Sequence, residues 1–159
     1  MIEPRKFRDI TGRFATGVTV VTSRLGDEVH GMTVNSFCAV SLSPPLVLFC
    51  AGPGSRTTSL ITRSGVFAIS ILSQAQEAIS VLLASSDTKA GDELLRTIHQ
   101  HGGTGCPIMP DCVAYVDCRV ESILPGGDHA IIVGRVEAME LGTDAPPLLF
   151  HASRYRHLA

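Results

Sequence analysis

The stretch VAYVDCRVESILPGGDHAIIVGRVEAMEL, residues 113–141, carries the strongest structural signal in the chain. In its first half, apolar and polar residues alternate, with one side formed by Val116, Cys118 and Val120 and the other by Asp117, Arg119 and Glu121. Such alternation is typical of a strand with one buried and one solvated face. Pro125 to Asp128 then form a turn before a second run at 129–141. The stretch therefore predicts a long antiparallel hairpin.

Further strands are predicted on both sides of this hairpin from β-branched and apolar runs that end at turn residues. They cover Val18–Ser23, Val29–Asn35, Phe37–Leu42, Leu46–Cys50, Val66–Leu72 and Leu148–Ala152. Prolines cannot donate hydrogen bonds within a sheet, so Pro44 and Pro45 are assigned to a connection.

Four helices are predicted from apolar residues at helical spacing. The first contains Phe7, Ile10 and Phe14 and should pack this side inward; the second runs from Ser55, its N-cap, to Thr62. The third spans 75–83, with Gln76, Glu77 and Ser80 facing away from the core, and the fourth lies around 92–101.

Strands joined by short turns, with the helices between them, exclude a doubly wound sheet of alternating strands and helices. We therefore expect a mainly β protein with peripheral helices: a barrel of six to seven antiparallel strands, forming one domain over residues 1–159.

Composition excludes several classes of function. The formal net charge is −2 and there is no basic run, which argues against nucleic acid as a partner. No apolar run reaches the roughly 18–20 residues of a membrane helix, and residues 1–8 lack the apolar core of a signal peptide, so we expect a cytoplasmic protein. The five cysteines are expected to be free thiols. A zinc site at 99–118 is disfavoured because the His and Cys spacing does not match known ligand patterns.

The usual catalytic motifs are missing from the sequence. There is no Gly-x-Gly-x-x-Gly, no P-loop and no Gly-x-Ser-x-Gly, which argues against a Rossmann nucleotide site, a P-loop nucleotide site and a serine hydrolase. If the chain is an enzyme, a bound organic cofactor must supply the difficult chemistry.

Three segments, in order, resemble the short-chain flavin reductases built on the FMN-binding split barrel, an antiparallel Greek-key barrel. They are FATGVTVVT (14–22), GMTVNSFCAVSLSPPLVLF (31–49) and GGDHAIIVGRV (126–136). The resemblance extends from about residue 7 to residue 158. It implies NAD(P)H-dependent reduction of FMN or FAD, a homodimer, and a partner monooxygenase that receives reduced flavin.

The resemblance also implies a set of flavin-binding positions. The strand end that lines the flavin matches Thr33, Val34, Asn35 and Ser36, and the backbone facing the ribityl chain and phosphate matches Cys38, Ala39, Val40 and Ser41. Hydroxyl groups at a helix start match Ser55, Thr57 and Thr58, where free N–H groups favour an anion. Thr16 and Val18 are expected behind the ring.

The Gly-Asp-His of the third segment implies a nicotinamide site. His129 is expected to orient the nicotinamide rather than to transfer a proton, Asp128 to orient His129, and Tyr155 to fold back toward the same site. Arg56 is left open between contributing charge and being solvated.

Departures from the family pattern lie in residues 69–95, which leaves flavin preference open. FMN or FAD, and NADH or NADPH, remain alternatives. Two other functions also stay open: a flavoprotein with tightly bound FMN that serves another acceptor, and a non-enzymatic flavin- or metal-binding module.

Overall fold

The computed structural model describes residues 1–158, most of which belong to regular elements. The strands are β1 (Thr16–Gly17), β2 (Thr19–Leu25), β3 (Glu28–Val34), β4 (Cys38–Leu42), β5 (Pro45–Ala51), β6 (Val66–Ile71), β7 (Ala114–Gly126), β8 (His129–Leu141), β9 (Leu149–His151) and β10 (Arg154–Arg156). The helices are α1 (Pro4–Thr11), α2 (Arg56–Ser64), α3 (Glu77–Ala84) and α4 (Thr88–Arg96), and a 3₁₀ turn at Gln74–Gln76 leads into α3.

Seven strands form one antiparallel sheet in the order β3-β2-β6-β7-β8-β5-β4. The two edge strands, β3 and β4, are joined by only the three residues 35–37. The sheet must therefore curl until its edges approach each other, which is the geometry of a split barrel. The predicted mainly β antiparallel barrel is confirmed.

The hairpin β7–β8 is the longest element, as expected from residues 113–141. Gly126 pairs with His129, so the turn consists of Gly127 and Asp128, and Gly127 adopts a φ of 72° that favours glycine. His129 consequently begins β8 at one end of the barrel.

Two groups of buried side chains cover the two faces of the sheet. One fills the inside of the barrel around Phe49, Phe67 and Ile132, where the two phenylalanine rings meet edge to face at 5.3 Å. The other packs β2 and β6 against α3, α4 and the segment before β7, with Leu83, Leu95 and Ile108 among its members. A small second sheet, β1-β9-β10, lies beside this second group.

The structure corrects the prediction for the first helix. The helix forms but ends at Thr11, so Phe14 lies beyond it, and Phe7, Ile10 and Phe14 are 57%, 62% and 78% exposed. No other element of the described chain covers its apolar side, and α1 contains no buried residue.

Three polar residues that were predicted to face away from the core are buried instead. Gln76 and Ser80 face inward, because the side chain of Gln76 accepts the Ser73 N–H and donates to the Pro110 carbonyl, while Ser80 bonds Tyr155. Asp117 is fully buried because a β-bulge between Asp117 and Cys118 breaks the alternation. Its carboxylate accepts the N–H and hydroxyl of Thr104, at 2.8 and 2.5 Å.

The boundaries of two other elements also differ. The fourth helix covers 88–96 rather than 92–101, since Asp87 caps it by accepting the Lys89 N–H. The last predicted strand becomes the hairpin β9–β10 of the small sheet.

Candidate functional site

A small cavity of about 150 Å³ opens where β3 ends. It is lined by Val18, Thr33, Val34, Asn35, Ser80, Ala84, Phe150 and Tyr155. The structure thus brings the predicted positions of β3 together with Tyr155, which is more than a hundred residues away in the sequence. Ser80, Ala84 and Phe150 are additional residues that the sequence analysis did not identify.

A chain of hydrogen bonds ties the walls of this cavity together. The Thr33 hydroxyl donates to the backbone carbonyl of Ser80 at 2.7 Å, and the Ser80 hydroxyl lies 2.7 Å from the Tyr155 hydroxyl. These bonds connect β3, α3 and β10. The polar groups of the cavity are therefore held in place before any ligand binds.

Tyr155 reaches the cavity because of the β9–β10 hairpin. Ala152 and Ser153 form its turn with φ values of 50° and 60°, a conformation in which glycine or asparagine is usual. The Ala152 N–H donates to the Gly12 carbonyl at 2.8 Å, and the rings of Phe150 and Tyr155 meet edge to face at 5.4 Å. These contacts hold the tyrosine in place.

A second cavity of about 340 Å³ adjoins the same strand end. Its lining consists of Phe14, Ala15, Thr16, Gly17, Thr19, Asn35, Phe37 and Ile71. Asn35 borders both cavities, and its Nδ2 donates to the Thr16 hydroxyl at 3.3 Å. The predicted Thr16 and Asn35 thus lie side by side, with Asn35 on the wall that both cavities share and Thr16 in the second cavity only.

The start of α2 has the features of an anion site. Ser55 caps the helix by accepting the Thr58 N–H at 3.2 Å, and the Ser59 N–H bonds the Ser55 carbonyl. The N–H groups of Arg56 and Thr57 lie in the first turn, where a helix offers no internal acceptor. Thr57 as a whole residue is only 3% exposed, so its side chain is not open to an anion. The Thr58 hydroxyl is buried without a partner in the described chain.

Arg56 is neither free nor simply solvated. Its guanidinium donates to the Asp92 carboxylate at 2.8 Å and to the Thr88 hydroxyl, both on α4. His30 lies beside the same pair, with Nδ1 3.0 Å from Asp92. This cluster attaches α4 to the start of α2.

The segment between β3 and β5 contains one serine held by two hydrogen bonds and several residues that remain exposed. The Ser36 hydroxyl donates to the Cys50 carbonyl at 3.0 Å and accepts the Cys50 N–H at 2.9 Å, so its hydrogen is not available to a flavin. Cys38, Ala39 and Val40 are exposed along the edge strand β4, and Ser41 is half-buried. The edge strand leaves backbone groups open for a ligand.

His129 lies apart from Tyr155. It is not among the residues that line the small cavity; a Cβ placed on Gly52, in the loop before α2, would lie 3.7 Å from its Nε2. Its Nδ1 donates to the Asp128 carboxylate at 2.7 Å, and this bond holds the pKa of Asp128 below its usual range. Both side chains are exposed. The structure thus places the predicted nicotinamide residues in two regions.

The arrangement fits a flavin and a nicotinamide. Flavin binding requires a largely apolar slot for the ring, polar groups at the ring edge and donors for phosphate. The two cavities supply apolar walls, Asn35 and Thr33 lie at their edge, and the start of α2 supplies N–H groups. Ser80 has no signal of its own in the sequence, because its burial depends on the contact of α3 with Tyr155 of β10.

The buried thiols show no sign of reactivity. Burial raises the pKa of Cys106 and Cys112, and raises that of Cys118 to about 12. Within residues 1–158, no three His, Cys, Asp or Glu side chains cluster in a way that could hold a metal ion. None of the helices in that range is both long enough and apolar enough to cross a membrane.

Comparison with known proteins identifies the family. The profile of the flavin reductase like domain matches residues 11–159. The HsaB reductase subunit of a flavin-dependent monooxygenase from Rhodococcus jostii (strain RHA1) is 37% identical over 154 residues, covering 97% of this chain and 77% of the relative. The reductase component of 4-hydroxyphenylacetate 3-monooxygenase from Thermus thermophilus is 38% identical over 152 residues, covering 96% and 95%.

A solved structure agrees with these sequence matches. The NADH:FAD oxidoreductase of Streptomyces globisporus C-1027, in complex with NAD and FAD fragments, superimposes with a TM-score of 0.90 at 34% identity. The match covers 100% of this chain and 96% of that chain. The prediction made from three sequence segments is confirmed: the chain belongs to the flavin reductase-like domain family.

Proposed function

We propose that this protein is an NAD(P)H:flavin oxidoreductase that reduces FMN or FAD and supplies the reduced flavin to a partner monooxygenase. The observation that carries the proposal is the pair of cavities that share Asn35 as a common wall. Two planar ligands in these cavities would lie next to each other, which is what hydride transfer between them requires. Both relatives described above are reductase components that serve a monooxygenase.

Each group of residues has a distinct role in this proposal. The flavin supplies the redox chemistry when it is bound, and the protein contributes binding and alignment. The N–H groups at the start of α2 hold a phosphate, and Asn35 orients a ring edge. Tyr155 and Thr33 present polar groups inside the small cavity. His129, from the β7–β8 turn, lines neither cavity, so it orients the nicotinamide nucleotide from outside them, and Asp128 fixes the imidazole by accepting from its Nδ1.

A steady-state assay that crosses NADH and NADPH with FMN and FAD tests the proposal. We expect oxidation of the nicotinamide to depend on added flavin, with saturation in both substrates. Dialysis before the assay distinguishes a flavin that serves as substrate from one that is tightly bound. Retention of stoichiometric flavin after dialysis would contradict the release of reduced flavin. Absence of oxidation in all four combinations would contradict the activity itself.

We also propose a two-fold homodimer, with the apolar side of α1 in its interface. Phe7, Ile10 and Phe14 expose most of their surface, and Phe14 lines the larger cavity, so a second copy placed here would close that cavity. Burial of such side chains drives association. Light scattering at micromolar concentration should give twice the chain mass. Phe7→Asp should shift the population toward the monomer, and a monomeric wild type would contradict the proposal.

A further inference from the structure

The Ser80 hydroxyl is completely buried, and its only hydrogen-bond partner in residues 1–158 is the Tyr155 hydroxyl at 2.7 Å. The distance alone does not fix which oxygen donates, but burial does. A buried hydroxyl hydrogen without an acceptor is costly, so Ser80 donates to Tyr155. Tyr155 is half-buried and borders the cavity, which leaves its own hydrogen free to point toward a ligand.

The Thr33 hydroxyl has the opposite polarity. Its hydrogen is donated to the Ser80 backbone carbonyl, so its oxygen can only accept from a ligand. Ser80 therefore fixes both groups, through its side chain for Tyr155 and through its backbone for Thr33. The cavity presents one donor and one acceptor with fixed polarity.

A ligand that matches a donor and an acceptor side by side carries a carbonyl oxygen next to an N–H. Two groups in the proposed reaction have this amide unit: the carboxamide of nicotinamide and the pyrimidine ring of the flavin. The volume of about 150 Å³ is well below the ~300–1,000 Å³ of a site for a whole drug-sized ligand. The cavity therefore accepts one ring of a larger molecule.

We propose that Ser80 is a positioning residue that sets Tyr155 as donor and Thr33 as acceptor, making the small cavity a pocket for an amide unit O=C–N–H of the nicotinamide or of the flavin. This inference rests on the proposed function for its ligands. The inference predicts that Ser80 affects ligand binding only through Tyr155 and Thr33, because the Ser80 side chain is buried behind them.

A double-mutant cycle tests this role: wild type, Ser80→Ala, Tyr155→Phe and the double variant. For each protein, the FMN dissociation constant is measured by fluorescence quenching, and KM and kcat for NADH by steady-state kinetics. We expect each single variant to raise one of the two binding constants by about three- to tenfold. The double variant should be no weaker than Tyr155→Phe, because the two residues act in series. Thermal melting of each protein separates binding effects from loss of folded protein.

Matched controls are available in the same chain. Tyr115 is the only other tyrosine, and its hydroxyl bonds Glu140 away from the cavity, so Tyr115→Phe should leave both constants unchanged. Ser86 is exposed in the turn after α3, and Ser86→Ala serves the same purpose for Ser80→Ala.

The outcomes also distinguish the ligand. A higher FMN dissociation constant assigns the amide unit to the flavin, and a higher KM for NADH at unchanged FMN affinity assigns it to the nicotinamide. In the second case, thio-NADH, whose sulfur accepts hydrogen bonds poorly, should bind wild type and Tyr155→Phe about equally. Independent effects that multiply in the double variant, or no change in either constant, would overturn the inference. Wild type without turnover would overturn the proposed function, while the FMN titrations would still test the pocket.

Discussion

The cavity beside Tyr155 and the turn that carries His129 are built in opposite ways. The cavity is held by partly buried hydrogen bonds that connect β3, α3 and β10, elements far apart in sequence. The turn is an exposed hairpin end, and the only hydrogen bond made by the His129 side chain in the described chain is to its neighbour Asp128. One region is preformed, whereas the other has local support only.

This difference separates two kinds of contribution to the same reaction. A preformed pocket loses little freedom when a ligand enters, so its residues contribute to affinity and, through their buried bonds, to stability. The side chains of the exposed turn have local support only, so we expect them to contribute to alignment in the bound complex and hardly to stability. The following substitutions test this division, from the largest expected effect to the smallest.

Replacing His129 with alanine should give the largest change. If the imidazole orients the nicotinamide, KM for NAD(P)H should rise and kcat/KM should fall by about ten- to a hundredfold. The flavin dissociation constant and the melting temperature should stay near their wild-type values. His99→Ala, at another exposed histidine, is the matched control. Weakened flavin binding at an unchanged nicotinamide KM would instead assign His129 to the flavin.

Asn35→Ala tests the wall between the two cavities. An unpaired ring heteroatom in the occupied slot corresponds to a loss of roughly 1–3 kcal/mol, so flavin affinity measured by fluorescence quenching should fall about tenfold or more. Stability should change little because the side chain is exposed in the free protein. A folded variant with unchanged affinity would remove Asn35 from the site and break the proposed link between the cavities.

Asp128→Asn should have a smaller effect than His129→Ala. The amide oxygen still accepts from Nδ1 of His129, and the carboxylate charge that is lost is exposed and screened, so kcat/KM should fall only about two- to threefold. In wild type, the lowered pKa of Asp128 keeps the carboxylate charged until the pH falls below its usual value of 3.8. The bond to His129 is thus present above that value and lost only as the pH falls through the lowered pKa.

The pH profile checks this prediction further. Between about pH 5 and 9, the Asp128 carboxylate does not titrate, so Asp128 itself should add no step to the wild-type activity profile. A step that is lost in Asp128→Asn but remains in His129→Ala would show that Asp128 takes part in proton transfer, and would contradict a purely orienting role.

Much of the barrel could be predicted because its signals are local. The alternation at 113–141, the Gly-Gly-Asp turn and the cap at Ser55 each depend on residues within one element. Asp117 shows where this fails: the bulge that turns its carboxylate inward leaves the sequence alternation intact, and its partner, Thr104, lies in a different segment. The helical spacing near the N-terminus predicted α1 correctly, but the pattern could not show that no other element of residues 1–158 covers its apolar side.

The candidate site divides in the same way. Thr33 and Asn35 could be placed because they lie on one strand end within a motif. Ser80 could not, because its burial depends on α3 meeting β10, which forms only when the β9–β10 hairpin folds back. Its helical pattern favoured solvent, since a serine among alanines and leucines is more often exposed. Long-range pairing of short polar residues has no signature in a single sequence.

The smallest effect is expected from relaxing the hairpin that carries Tyr155. Ser153 has a φ of 60°, which costs a non-glycine residue about 1–2 kcal/mol, while glycine loses about 0.5–1 kcal/mol more chain entropy on folding. Ser153→Gly should therefore raise the melting temperature by about 1–2 °C. Ser86→Gly, where φ is not positive, should lower it slightly. The bonds to Gly12 and Ser80 hold the hairpin whatever residue stands at 153, so the FMN dissociation constant and the KM for NADH should not change. A higher FMN dissociation constant or a higher KM for NADH in Ser153→Gly would show that the cavity depends on this turn for its rigidity. The cavity beside Tyr155 would then have local support only, like the turn that carries His129.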